Sequence, residues 1–422
     1  MPAPLALPSI IEQQESDTPG AGRAQLALLL AGSCMPVLGA TLLSPLLSRI
    51  SRHFADTPGA SVLVPLVLAV PALLIALAAP FAGRIADAVD RKRLLMAAMV
   101  AYSVFGTAPL YLSSLKAILI SRILVGLCEA AIMTCCTTLI GDYWAGTRRR
   151  RYLGLQTLVA TLAATVFVVL GGALGGDNWR TPFWVYAVAA LLAAPMALLL
   201  PQPAQRHASR RSDTATATVP APAPWRQVAV PAAVSVFGGV VFYVLLVQLS
   251  YVLDGAGVKS SAAVGGLTGL MSLATAVGAA LFARLIRRGH RTLLTAQFAL
   301  AGLGLLLVFA TTAVPVIALG AVVTGFATGA MLPTLLTWAV EGLDYAQRGR
   351  GTGLWTAALF LGEFLSPLIV SALGAGLGGL RPALATLAVA AFAMAALART
   401  VLPIGAVRIR ARSKAASVAT ES

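Results

Sequence analysis

The chain reads as long apolar stretches broken by short polar ones. Twelve apolar runs fall near residues 25–48, 60–83, 94–114, 117–141, 153–175, 182–201, 228–252, 262–284, 293–312, 315–340, 352–374 and 381–403. A helix of about 20 apolar residues crosses a hydrocarbon core of ~30 Å. In lipid, only helices and closed barrels bond all of their own backbone groups. The pattern predicts an all-α integral membrane protein with twelve transmembrane helices. Pro36, Pro45, Pro71 and Pro333 fall inside runs and predict kinks. One long polar interruption, QPAQRHASRRSDTATATVPAPAPWR at 202–226, has no apolar periodicity and reads as a flexible linker. It separates a six-span half, 25–201, from a second, 227–403. Residues 1–24 form a short tail whose early acidic residues, Glu12, Glu15 and Asp17, are unlike a secretion signal. Residues 404–422 form a basic tail.

Composition agrees with this reading. The chain is 58% hydrophobic and 11% charged, against about 25% charged in a soluble domain. Charge adds an orientation. A net charge of +16 invites a nucleic-acid reading, but the basic residues alternate from loop to loop. Of 31 Lys and Arg, 24 lie on the side of the termini and linker, 6 lie on the opposite side, and Arg122 lies within a span. That is the bias of cytoplasmic loops. The expected partner is therefore the lipid bilayer rather than nucleic acid, with both termini cytoplasmic. Cys34, Cys128, Cys135 and Cys136 all fall inside runs without metal-ligand spacing, and the chain has 3 histidines. They read as small packing residues, with no metal or cofactor. No Ser/His/Asp set, no phosphate-cradling loop and no large polar domain supports an enzyme or a receptor.

The second half repeats the first. Shifted by 200 positions, Arg84 meets Arg284, Arg91 meets Arg291 and Leu94 meets Leu294. Shifted by 199, Gly126 meets Gly325, Asp142 meets Glu341, Arg149 meets Arg348 and Gly154 meets Gly353. Parallel repeats of six helices belong to transporters that rock two halves about a midplane site.

These motifs carry a family resemblance over the whole chain. GRIADAVDRK resembles the loop between helices 2 and 3 of the major facilitator superfamily, G-x-x-x-D-[RK]-x-G-[RK]-[RK]. Gly83, Asp87, Arg91 and Lys92 match, while Ala88 and Asp90 depart. Arg122 and Gly126 match the R-x-x-x-G of helix 4. GGALGG, with Gly171, Gly172, Gly175 and Gly176, resembles the G-P-x-x-G-G of drug:proton antiporters, with glycine in place of proline. The resemblance implies two six-helix halves and secondary transport. It also implies a conformational latch of Asp87, Arg91 and Asp142, with Asp87 facing the start of helix 11 near Gly351 to Gly353. A carboxylate there meets the positive end of a helix dipole, and Gly83 allows close approach. Lys92 belongs to the same loop. Arg287 stands at the repeat position of Asp87 and cannot make that contact, so the second latch is the weaker, with Arg291 pairing to Glu341.

Three ionisable residues lie well inside spans: Arg122, Glu129 and Glu363. Such residues are costly in lipid and are functional candidates by default. Arg122 and Glu129, seven apart, share a helix face about 10.5 Å from each other along the axis. By resemblance, helices 4 and 7 line a central cavity. The candidate proton-coupling residues are Glu129, Arg122 and Glu363, and the candidate cavity adds Tyr243, Gln248 and Tyr251 of helix 7. The expected function is proton-coupled efflux of a small organic compound by a monomer in a bacterial inner membrane. The alternative is uptake of an anionic metabolite anchored by Arg122. An epitope placed near residue 215 is expected to label only from the cytoplasm. Labelling from outside intact cells would reverse the orientation.

Overall fold

The computed structural model describes residues 21–82, 90–202 and 225–401. Twelve helices among them are long and apolar enough to cross a membrane. They are α1 (Arg23–His53), α2 (Ala60–Phe81), α3 (Arg91–Leu110), α4 (Leu115–Tyr143), α5 (Gly146–Leu174) and α6 (Thr181–Leu199) in the first half. The second holds α7 (Gln227–Gly255), α8 (Ser261–Arg288), α9 (His290–Ala310), α10 (Val314–Val340), α11 (Gln347–Leu377) and α12 (Leu380–Thr400). The apolar runs located all twelve. They missed the starts of α5 and α11, whose helices begin at Gly146 and Tyr345 rather than near 153 and 352. Hydropathy marks where lipid ends, but a helix bonds its own backbone and continues into the polar turns that hold Arg148 to Arg151 and Arg348. The end of the molecule where α1 begins is the near face, and the opposite end is the far face.

Proline breaks α1 as expected. The helix is interrupted at Cys34, before Pro36, and turns 3-10 over Ser44–Leu46 around Pro45. Pro71 and Pro333 are carried inside otherwise continuous helices.

The two halves are built alike. In the first, α4 packs on α1, α2 and α3, and α3 also meets α6. In the second, α10 packs on α7, α8 and α9, and α9 also meets α12. Glycines mark the equivalent crossings. A Cβ on Gly126 of α4 would lie 2.7 Å from the Pro71 Cα of α2. On its repeat partner Gly325 of α10 it would lie 2.4 Å from the Met271 carbonyl of α8. Small residues let backbones approach closely where lipid offers no hydrophobic drive.

The halves meet along two seams, α5 with α8 and α2 with α11. In α5 the fully buried residues are Val168, Gly171 and Gly172, close to its far-face end. A Cβ on Gly172 would stand 2.7 Å from Gly265 Cα, and one on Gly265 2.8 Å from Gly172 Cα. The two backbones touch. Gly171 lies equally close to the Leu42 carbonyl of α1 and Gly175 to the Leu46 side chain, while Gly176 lacks a close neighbour on another helix.

Gly265→Val is expected to lower the stability of the purified protein by about 1–3 kcal/mol through overpacking, seen as a fall in thermal midpoint. Gly154, also helical, has open space around it. Gly154→Ala is expected to hold or raise that midpoint, since glycine in a helix costs about 0.5–1 kcal/mol relative to alanine. An unchanged melt for Gly265→Val would mean that the seam is not close-packed.

Candidate functional site

The buried charges come first, because lipid makes them the most expensive residues in the chain. Arg122 of α4 is buried, and its guanidinium turns into the first half. Nη2 donates to the carbonyls of Phe105 (3.0 Å) and Gly106 (3.1 Å) near the end of α3. Its carbon stands 4.9 Å from the ring centre of Tyr186 and 5.4 Å from that of Phe183, both in α6. Helix-end carbonyls and ring faces both favour a cation. Nε and Nη1 have no partner among the described residues.

Glu129, two turns on, is also buried and turns toward α1. Its Oε1 lies 1.8 Å from the position a Cβ on Gly39 would take, so the absence of a side chain at Gly39 makes room for the carboxyl. Oε1 has no hydrogen-bond partner among the described residues. Tyr102 of α3 lies beside the same spot and donates its hydroxyl to the Met35 carbonyl of α1, at 2.5 Å. No ion pair joins Glu129 to Arg122. Helical spacing put the two on one face, and the packing then gave them different neighbours. Gly39, Tyr102, Phe183 and Tyr186 were not legible as site residues, because each becomes one only by facing α4 from another helix.

In the second half, Glu363 of α11 is buried where α11 crosses α7. A Cβ on Gly239 of α7 would meet the Leu359 carbonyl at 2.2 Å and the Glu363 backbone nitrogen at 3.1 Å. Among the described residues its carboxyl makes no hydrogen bond and no ion pair. Tyr243 of α7 lies within electrostatic reach of it. The Tyr243 hydroxyl crosses to the first half and donates to the Leu68 carbonyl of α2 at 3.0 Å. Gln248 and Tyr251, placed on the same strip by sequence, sit nearer the far face and line a different cavity, with Ser51 and Ser371.

The far face is held shut by side chains that the sequence offered only as sparse loop charges. Arg49 Nη1 donates to the Gly175 carbonyl (2.5 Å), to the Gly176 carbonyl and to Ser261 Oγ (3.2 Å). One side chain on α1 thus ties the end of α5 to the start of α8. Arg52 pairs with Asp254, which Lys259 also approaches at 3.1 Å. The Ser51 and Tyr251 hydroxyls share a hydrogen bond of 2.9 Å, and the Ser44 hydroxyl donates to the Leu246 carbonyl. Thr165 donates to Ser272 at 3.0 Å along the α5–α8 seam. Toward the near face, a recess of about 250 Å³ lies between α2, α4 and α11, lined among the described residues by Thr134 and Thr137 of α4 and Thr352 and Thr356 of α11 and by no ionisable side chain.

The model of the Major Facilitator Superfamily matches residues 29–263 and 257–420. The chain belongs to that family. Its twelve apolar helices make it a multi-pass membrane protein. It is 25% identical over 202 residues to a class H tetracycline resistance protein of Pasteurella multocida, covering 46% of this chain and 49% of that one. It is 28% identical over 188 residues to multidrug resistance protein 1 of Bacillus subtilis (strain 168), covering 43% and 46%. These alignments span about half the length of the curated relatives. Among solved structures, the fold is similar to an inward-facing bacterial homologue of the human lysosomal transporter Spinster (TM-score 0.71, 17% identity, 90% of this chain and 98% of that one). It is likewise similar to a D-xylose–proton symporter (TM-score 0.72, 15% identity, 90% and 98%).

The superfamily loop between α2 and α3 is only partly in view, since Gly83 and Asp87 lie outside the described residues. Arg91 forms an ion pair with Asp142, joining α3 to α4 as anticipated. Lys92 is used differently: Nζ donates to the Leu200 carbonyl (2.7 Å), capping the end of α6 in the same half. Asp90, which departs from the family glycine, caps α3 by accepting from the Lys92 and Arg93 backbone N–H groups, and it accepts from the Gln202 amide at 2.6 Å. Slight burial works against its charge, but these bonds and the Arg93 charge outweigh it and hold the carboxyl below its usual range. The second half does not repeat the arginine pair. Glu341 bonds to His290 Nε2 at 3.0 Å, and Arg291 donates to the Arg399 carbonyl instead. The expected Arg291–Glu341 pair is therefore corrected to His290–Glu341. The acid's partner moved by one residue because α9 begins at His290 and Arg291 turns to α12.

Arg49→Ala is expected to release the far face. Hydrogen bonds to a charged group are worth about 1.5–3 kcal/mol, which moves a two-state equilibrium roughly 10- to 150-fold. Spin labels at Asp56→Cys and Gly255→Cys, one on each half, would show a longer distance population in the Arg49→Ala protein. An unchanged distance distribution would remove Arg49 from the gate.

Proposed function

We propose that this transporter exports a small organic compound in exchange for protons, by alternating access between a cytoplasmic near face and an outward far face in a bacterial inner membrane. The observation that carries the reading is a pair of buried intramembrane carboxyls, Glu129 and Glu363, neither with a cationic partner among the described residues. A charged side chain at such depth costs roughly 2.5–3.5 kcal/mol on insertion scales. Protonation removes that cost in a closed, dry conformation, whereas access to water removes it without a proton. A group that binds protons differently in two conformations couples their exchange to the proton gradient.

Glu129 is the proton carrier in this reading, with Arg122 biasing it electrostatically without touching it. Glu363, next to Tyr243 of α7, meets the substrate. Tyr243 itself, bonded across to Leu68, separates the two faces at mid-depth. The relatives that confer tetracycline and multidrug resistance favour export of an organic compound. Anion uptake anchored by Arg122 has less support, because the guanidinium is already held by two carbonyls and two aromatic rings inside the first half. Asp87, with the Arg91–Asp142 pair, serves as the near-face latch. The halves are assigned to 25–201 and 227–403, joined by a cytoplasmic linker at 202–226, and the unit is a monomer.

In proteoliposomes, Glu129→Gln is expected to abolish accumulation driven by an imposed pH gradient while leaving substrate exchange at equal pH. Glu363→Gln should instead change apparent affinity or substrate range. Normal gradient-driven accumulation by Glu129→Gln would make Glu129 structural and pass the proton to Glu363.

A further inference from the structure

One cavity plays no part in that mechanism. It measures about 690 Å³ and lies at the far-face end of the α2–α11 seam, between the end of α1, the start of α2, the end of α7 and the turn from α11 to α12. Its size falls within the range of small-molecule sites, roughly 300–1,000 Å³. Two bonds stand around it: Ser51 with Tyr251 on its α1–α7 wall, and Tyr243 with Leu68 deeper in the bundle.

The lining has a definite chemistry. No Asp, Glu, Lys, Arg or His contributes to it. Alanine and valine side chains, with Pro65 and Leu380 and the backbone of Gly374 and Gly379, form an apolar wall. The polar groups are neutral: Ser51, Ser61, Gln248, Tyr251 and Ser371. Ser51 and Tyr251 satisfy each other. Gln248 is 5% exposed, yet its amide has no hydrogen-bond partner among the described residues. It is also absent from the atoms sealed from the surface, so what exposure it keeps is toward the cavity it lines. Leaving a buried amide without a partner is costly, and two other glutamines within spans have their amide nitrogen bonded: Gln156 Nε2 reaches Ser33 and Thr137, and Gln297 Nε2 reaches Thr334 while its Oε1 has no partner among the described residues. Ser61 and Ser371, on opposite walls, likewise make no hydrogen bond to a described residue.

We propose that this cavity is a second ligand site, which takes an uncharged amphipathic molecule whose amide or hydroxyl group bonds to Gln248 while its apolar body lies against the α2 and α11 walls. The site is separate from the carboxyls of the transport mechanism and does not depend on their roles. A permanent cation finds no counter-charge in it.

The test uses the full-length protein in lipid nanodiscs, with single cysteines at Ser371→Cys and, separately, Ser61→Cys. The native cysteines are buried, and the unsubstituted protein supplies the blank. Chloramphenicol, an uncharged amphipath with an amide and two hydroxyls, is the probe. Tetraphenylphosphonium is the charged comparison. At ten times its dissociation constant, chloramphenicol should slow N-ethylmaleimide labelling about tenfold at both positions, and tetraphenylphosphonium should not. Gln248→Leu should abolish the protection while the cysteines still label at the unprotected rate, which also reports that the cavity has kept its shape. Glu129→Gln, which tests the transport mechanism, should leave the protection intact. Absence of protection by chloramphenicol, equal protection by tetraphenylphosphonium, or protection that survives Gln248→Leu would each overturn the proposal.

Discussion

A polar group surrounded by lipid must find its partner inside the protein, and the rest of this structure follows from that constraint. It dictates helices, because only they and closed barrels bond their own backbone. It then governs the hydroxyls within the helices. Ser33, Thr41, Thr134, Thr268, Thr324 and Thr334 each donate to the carbonyl four residues back. A helix can therefore carry serine and threonine through the membrane without help from a neighbour. Glutamate, glutamine and arginine are too long for that bond and must look to other helices. Arg122, Glu129, Glu363 and Gln248 find too few partners there among the described residues, and these are the side chains to which the proposals above give work.

The same medium gives no hydrophobic reward for joining one helix to another, so association depends on close contact. Glycine supplies it at each seam. Gly172 against Gly265 at the α5–α8 seam and Gly353 against the Ala79 carbonyl at the α2–α11 seam bring backbones together. At the α5–α8 seam the glycine that replaces the antiporter family's proline is in contact with the facing glycine. Close contact of backbones leaves little room for gradual deformation, so relative motion of the halves is better described as exchange between discrete contact sets. The Arg49 clamp and the Arg52–Asp254 pair belong to one such set. The Arg52–Asp254 pair is half-exposed and weak on its own, whereas Arg49 gathers three acceptors at one point, of which Ser261 belongs to the other half.

The repeat is faithful in packing and loose in electrostatics. Gly126 and Gly325 make equivalent crossings, but Arg91–Asp142 and His290–Glu341 are different pairs at equivalent places. Packing repeats because helix crossing angles and small residues are set by backbone geometry. Surface ion pairs are worth little individually, so nothing forces them to match.

Much of this was legible in the sequence. The number of helices, their order, the twofold repeat and the membrane setting all follow from the spacing of apolar residues, because lipid leaves a chain of this composition no other way to bond its backbone. The rarity of Arg122, Glu129 and Glu363 within apolar runs marks them as costly from their position in the chain alone. The family motif likewise pointed to Arg91 with Asp142. What each buried charge faces was decided by tertiary packing alone. Helical periodicity fixes the direction in which a side chain leaves its own helix, but not which helix waits there. So Gly39 beside Glu129, the α3 carbonyls beside Arg122, the Arg49 clamp and the open amide of Gln248 could come only from the assembled bundle, where residues far apart in the chain meet.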